Sequence, residues 1–122
     1  MRKENNMSMK YLIGGVGSLI NQEYRQSSKK YGELFTSYHE AYGVIKEEIE
    51  EAQAEFDAVY EHFHLFWNSE KNDAVRADKI EVIALKAHLA ACELIQVAAM
   101  AYKAALGLKG KTEDYTEQEG KS

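Results

Sequence analysis

The segment Lys46-Glu47-Glu48-Ile49-Glu50-Glu51 packs four carboxylates into five residues of a stretch that otherwise reads as a helix with one buried face. At about 100° per residue, Glu48 and Glu51 stand about 60° apart beside the apolar residues, with Glu55 between them, Glu47 about 40° beyond Glu51, and Glu50 pointing elsewhere. Ionised carboxylates on one flank repel each other, and a divalent cation removes that penalty. Further along the chain, Glu93 and Gln96 form an i, i+3 couple whose oxygens can point the same way. Oxygen donors from two facing helices make a cage for a hard cation. Magnesium favours octahedral oxygen coordination and keeps waters, so such a site can hold a triphosphate and present an activated water, and manganese substitutes for it. The other reading of the same residues is a solvated helix face supported by Lys46, the ordinary fate of a Glu-rich run.

The elements that must position these residues are helices. A chain of 122 residues with 45% hydrophobic and 11% aromatic content fills one modest core, and it contains no proline to break a helix ladder. We read an all-α antiparallel helical bundle with two long helices, completed by oligomerisation, because a small helical chain leaves apolar surface uncovered. Residues 1–10 read as a flexible polar N-terminus, residues 11–107 as the helical domain and residues 108–122 as a disordered polar tail. A first helix is expected from about Leu12 to Tyr31, loosened at its start by Gly14, Gly15 and Gly17. Gly15 and Gly17 lack the preceding strand and the rest of a phosphate-loop pattern.

Ser37-Tyr38-His39-Glu40 matches a capping box and predicts a helix from there to about Trp67. Within it Ile45, Ile49, Ala52, Phe56, Val59 and Phe63 recur at steps of four and three and predict one buried stripe. The polar run from Asn68 to Asp73 reverses the chain into a helix from about Ala74 to Leu106. There Ala84, Ala87, Ala91, Leu94, Ala98, Ala101 and Ala105 predict a close-packed line at the centre of a bundle or a dimer interface. Gly107 and Gly110 are expected to cap its end.

Charge and cysteine content narrow the partners. With 15 basic and 20 acidic residues the formal charge is −5, which excludes a global positive field for duplex nucleic acid but leaves a small anionic substrate admissible at a bound cation. Cys92, the only cysteine, lies in an apolar helical stretch and reads as a buried small hydrophobe. The apolar stretch from Ile80 to Leu108 is interrupted by Lys86, His88, Glu93 and Lys103, so no membrane span is read there. No cleavable leader is read either, and the expected location is cytoplasmic.

At the carboxylates the sequence resembles the MazG-like all-α nucleotide pyrophosphohydrolases, whose signature is E-E-x-x-E on one helix and E-x-x-D on another. Glu47-Glu48-Ile49-Glu50-Glu51 matches the first half. The segments from His39 to Glu48 and from Glu93 to Ala101 are similar to the wording of a phage and Gram-positive branch, and the resemblance covers roughly residues 24 to 106. It implies a magnesium-dependent enzyme that cleaves a nucleoside triphosphate between the α and β phosphates, and a dimeric or tetrameric assembly. It also implies Glu48, Glu51 and Glu93 as metal ligands, with Glu47 a further ligand or the base that orients water. Gln96 stands where the signature has Asp, and the gap between the motifs is longer than the signature allows. These departures open a second reading, a helical module that binds a nucleotide or a protein partner without catalysis.

Around this set, Lys86 and Lys103 fall near the Glu93 and Gln96 face, each seven residues from one of them, and are candidates to meet a phosphate. Each is equally able to pair with a surface glutamate. His39 lies in the family-like segment and is a candidate substrate contact. His62, His64 and His88 fit packing or solvent-facing roles. Among Tyr38, Tyr42, Tyr60, Phe63, Phe66 and Trp67, which read as core or interface material, one could stack on a base.

Overall fold

The chain folds locally as its capping chemistry dictates. In the computed structural model the backbone is described for residues 2–31, 35–68 and 72–121, and the side chains for residues 8–29, 35–68 and 72–109. Three helices follow one another, α1 (Arg2–Tyr31), α2 (Tyr38–Asn68) and α3 (Asp73–Lys121), and no strand occurs among the described residues. Ser37 caps α2 as expected: the Glu40 amide donates to Ser37 Oγ at 3.2 Å, and the Ala41 amide to the Ser37 carbonyl at 3.1 Å. Glu40 reaches back one residue further than a standard capping box, accepting from the amide and hydroxyl of Thr36. Asn72 caps α3, its Oδ1 accepting from the amides of Ala74 and Val75 at 3.0 and 3.2 Å, and Asp73 pairs with Arg76 across the first turn at 3.0 Å.

Both outer helix ends differ from expectation. α1 starts at Arg2 rather than near Leu12, so Gly14, Gly15 and Gly17 sit inside a helix instead of loosening its start. α3 continues through Gly107 and Gly110 to Lys121, whereas an end near Leu106 was expected. Glycine weakens a helix without breaking it, since its amide still donates to the i−4 carbonyl, and no proline follows to enforce a stop. Helical backbone is thus described for residues 2–10 and 108–121. Their side chains before Ser8 and beyond Lys109 lie outside the described residues.

The chain divides into two compact units, residues 1–45 with 98–122, and residues 46–97. In the first, Phe35, Ala41, Ala99, Met100 and Leu108 form a buried core, with Ile20, Tyr24 and Ile45 packed against it. Two polar contacts fix it: Ser27 Oγ donates to the Met100 sulfur at 3.7 Å, and the Tyr38 hydroxyl to the Leu108 carbonyl at 3.2 Å. Lys103 is buried here, at 2% exposure, with Nζ 4.8 Å above the centre of the Phe35 ring.

The second unit is a pair of antiparallel helical segments, as the contacts Glu48 with Glu93 and Glu55 with Lys86 show by running in opposite directions along the two chains. Its line of contact carries Glu48, Ala52, Glu55 and Val59 from α2 and Lys86, Ala90, Glu93 and Val97 from α3, of which Ala52 and Ala90 are buried. Only part of the expected apolar stripe is at this contact, Ala52 and Val59. Ile49, Phe56 and Phe63 are 48%, 57% and 49% exposed, while Ala52 from the same stripe is buried. Alanines at the contact let two helices approach closely, which the larger side chains would prevent, so the bulky residues flank the seam. On α3 the expected alanine line is likewise displaced: Ala84, Ala87, Ala91 and Leu94 are exposed. Cys92, expected to be buried, is exposed, because helical rotation turns it away from Ala90 and the seam.

Candidate metal centre

Helical rotation gives the second unit two unlike sides. Counting from Ala52 on α2, Glu48, Glu55 and Glu51 fall progressively to one side; counting from Ala90 on α3, Lys86 and Glu93 fall to one side by the same sense. Because the segments are antiparallel, those two sides coincide, and all five charged groups line one edge of the pair. There Glu48, Glu51 and Glu93 each bring a carboxylate oxygen to within 4.8 Å of the others. Glu48 and Glu93 are half-buried and Glu51 is exposed, so the cluster opens to solvent on the Glu51 side.

The electrostatics reflect this crowding. Glu93 is held above the ordinary 4.5, first by burial, then by a hydrogen bond to Glu51 and by the negative charges of Glu51 and Glu55. Lys86 Nζ lies 3.5 Å from Glu55, an ion pair with both side chains about two-thirds buried, and offsets one charge at the end of the cluster. Glu50, rotated away, pairs with Lys46 at 3.8 Å on the solvent side of α2.

The donor set fits a hard divalent cation. Two oxygens bound to one magnesium at about 2.1 Å can be no more than about 4.2 Å apart, so donors already within 4.8 Å need only a small contraction to share an ion. All three are carboxylates, which magnesium and manganese accept and soft metals do not favour.

The remaining candidates fall in different places. Glu47 is exposed on α2, beyond Glu51 on the same flank. Gln96 is half-buried on α3, three residues past Glu93 and about 60° from it by rotation. Lys86 adjoins the cluster through Glu55. Lys103 and His39 belong to the other unit, where Lys103 is committed to the Phe35 ring and His39 is exposed in the first turn of α2.

Glu55 is the member that sequence reasoning passed over. The wheel places it between Glu48 and Glu51, but nothing in the motif marks it; its pairing with Lys86 and its charge beside Glu93 tie it to the site. His62 extends the same flank towards the end of α2, half-buried, with a buried Nδ1 that has no hydrogen-bond partner among the described residues. No family model, no curated protein and no solved structure matches this chain.

Proposed function

We propose that the chain is a magnesium-dependent nucleoside triphosphate pyrophosphohydrolase of MazG-like type, converting a nucleoside or deoxynucleoside triphosphate to the monophosphate and pyrophosphate. The observation that carries this is the convergence of Glu48, Glu51 and Glu93 from two helices onto one edge, at the positions the motif resemblance assigns to metal ligands. These three carboxylates would hold the ion, which when bound supplies charge neutralisation at the phosphates and a more acidic water.

The rest of the chemistry belongs to the protein's own groups. Glu47, exposed beside the ligands, accepts a proton from the attacking water as general base. Lys86, held by Glu55, presents a cation at the end of the cluster for a phosphate oxygen. Glu93 would have to be ionised to ligate the ion, against the crowding that favours its protonated form. The reading includes a homo-oligomer, dimer or tetramer, and the cytoplasm, where magnesium and nucleoside triphosphates meet.

Pyrophosphate release from a panel of ribo- and deoxyribonucleoside triphosphates tests this, with magnesium or manganese against EDTA. Metal-dependent release is expected, lost in Glu48→Ala and in Glu93→Ala with helical circular dichroism retained. Turnover persisting in both variants would remove the site.

One residue favours a second reading, a module that binds nucleotide without turning it over. Gln96 offers a carbonyl oxygen where the signature has a carboxylate, one charge fewer for the ion. On that reading the panel is silent, and Gln96→Asp tightens magnesium binding measured by calorimetry. An unchanged affinity would dismiss Gln96 as the cause.

A further inference from the structure

The ion pair at the end of the carboxylate cluster is loosely held. Lys86 Nζ lies 3.5 Å from Glu55 Oε2, beyond the range of about 2.7–3.2 Å in which an N–H donates a hydrogen bond. That oxygen is buried and has no hydrogen-bond partner among the described residues. Charge alone keeps the lysine there. The charge of Glu55 is also felt inside the cluster, where it is one of the causes that raise Glu93. While Lys86 sits on Glu55, one negative charge is therefore offset beside the point where Glu48, Glu51 and Glu93 converge.

Helix geometry sets the spacing between that point and the lysine's partner. Glu51 and Glu55 are one turn apart, about 6 Å along α2, and both lie on the edge that carries the cluster. One phosphate chain bridges such a distance. A phosphate oxygen accepts from an ammonium at hydrogen-bond length, and the flexible stem of lysine lets Nζ swing to it, so phosphate competes well with a carboxylate that holds Nζ only at 3.5 Å.

We propose that Lys86 is exchanged between Glu55 and the phosphate chain of a polyphosphate ligand, with Glu55 as the positioning residue. Without polyphosphate, Glu55 holds the lysine at the cluster, where the ammonium opposes entry of a divalent cation. Once the lysine turns to phosphate, the carboxylate charge of Glu55 is returned to the ion. Ion and polyphosphate then favour each other's binding through one side chain, in addition to their direct contact. The proposal rests on the metal-centre reading and is independent of whether the bound nucleotide is cleaved. A pair that merely braced α2 against α3 would alter stability on removal, with no regard to the sign of a ligand's charge.

Two titrations of the full chain test the exchange. Manganese alone is followed by the loss of the free ion's paramagnetic resonance signal, and inorganic tripolyphosphate alone, in EDTA, by calorimetry. Tripolyphosphate carries the phosphate chain without a base. Lys86→Met should bind manganese about threefold tighter and tripolyphosphate about tenfold weaker, and Glu55→Gln should move both affinities the other way. In the Glu55→Gln background Lys86→Met should cost more tripolyphosphate affinity than in wild type, because there the lysine has no carboxylate to leave. Lys46→Met, which removes the cation paired with Glu50 on the solvent side of α2, should change neither.

Equal losses in the two backgrounds, or manganese weakened by Lys86→Met, would overturn the exchange. If Lys86→Met loses helical circular dichroism, Lys86→Gln takes its place, and Glu55→Gln with both affinities unchanged would overturn it equally. A wild type that binds no manganese would strike the metal centre, and the proposed function with it. Bound manganese with additive variants would strike the exchange alone, and the opposed shifts without pyrophosphate release from any triphosphate would support the exchange and strike turnover alone.

Discussion

At Glu93 two demands conflict. Folding puts the carboxyl beside Glu51 and Glu55 in a half-buried position, which favours its protonated form, while ion binding needs it charged. Because its folded value lies above its unfolded one, the folded state holds the extra proton between the two, and stability falls as pH rises upward from about 4.5. Glu93→Gln, which keeps the shape and removes the ionisation, should therefore melt higher than wild type at pH 7 and show a flatter dependence on pH, readable by thermal denaturation at pH 4 to 8. Magnesium should raise the melting temperature of wild type more at pH 8 than at pH 5, and should do little in the variant. A variant less stable than wild type at pH 7 would mean that the Glu93 carboxylate is favourably held, against the crowding described here.

Helix boundaries show how far local chemistry reaches. Ser37 and Asn72 each satisfy amides in the first turn of a long helix, and a cap of this kind is worth about 1 kcal/mol. Ser37→Ala and Asn72→Ala should each lower stability by about that amount, with Asn72 the more costly because its Oδ1 accepts from two amides; urea denaturation at fixed protein concentration reads this, and a loss under about 0.2 kcal/mol in both would deny the caps their role. The start of α2 was legible because a cap is a short-range pattern, Ser37 with Glu40. The outer ends of α1 and α3 were not. Gly14, Gly107 and Gly110 signal a weak point in a helix, and a weak point stops a helix only when something better competes for the same backbone.

For the molecule as a whole, the helical class followed from a chain without proline and with apolar residues at steps of three and four. The direction of the α2 stripe did not follow. A helical wheel ranks Ile49, Phe56 and Phe63 as one face, but it holds no information on which flank the neighbouring helix takes, and alanines at positions 52 and 90 settled that in favour of close approach. The carboxylates were legible for a related reason: Glu48, Glu51 and Glu93 border the seam, so a modest rotation of the contact line kept them together while it left the larger apolar residues outside.

The buried lysine over the Phe35 ring has a practical consequence. Amine-directed acylation needs an amine that reagent can reach, and Lys46, on the outer surface of α2, meets that condition continuously, whereas Lys103 meets it only when the residues around Phe35 separate. The ratio of their modification rates, followed by peptide mass, becomes a clock for opening of that core, with the fast site in the same molecule serving as the internal standard.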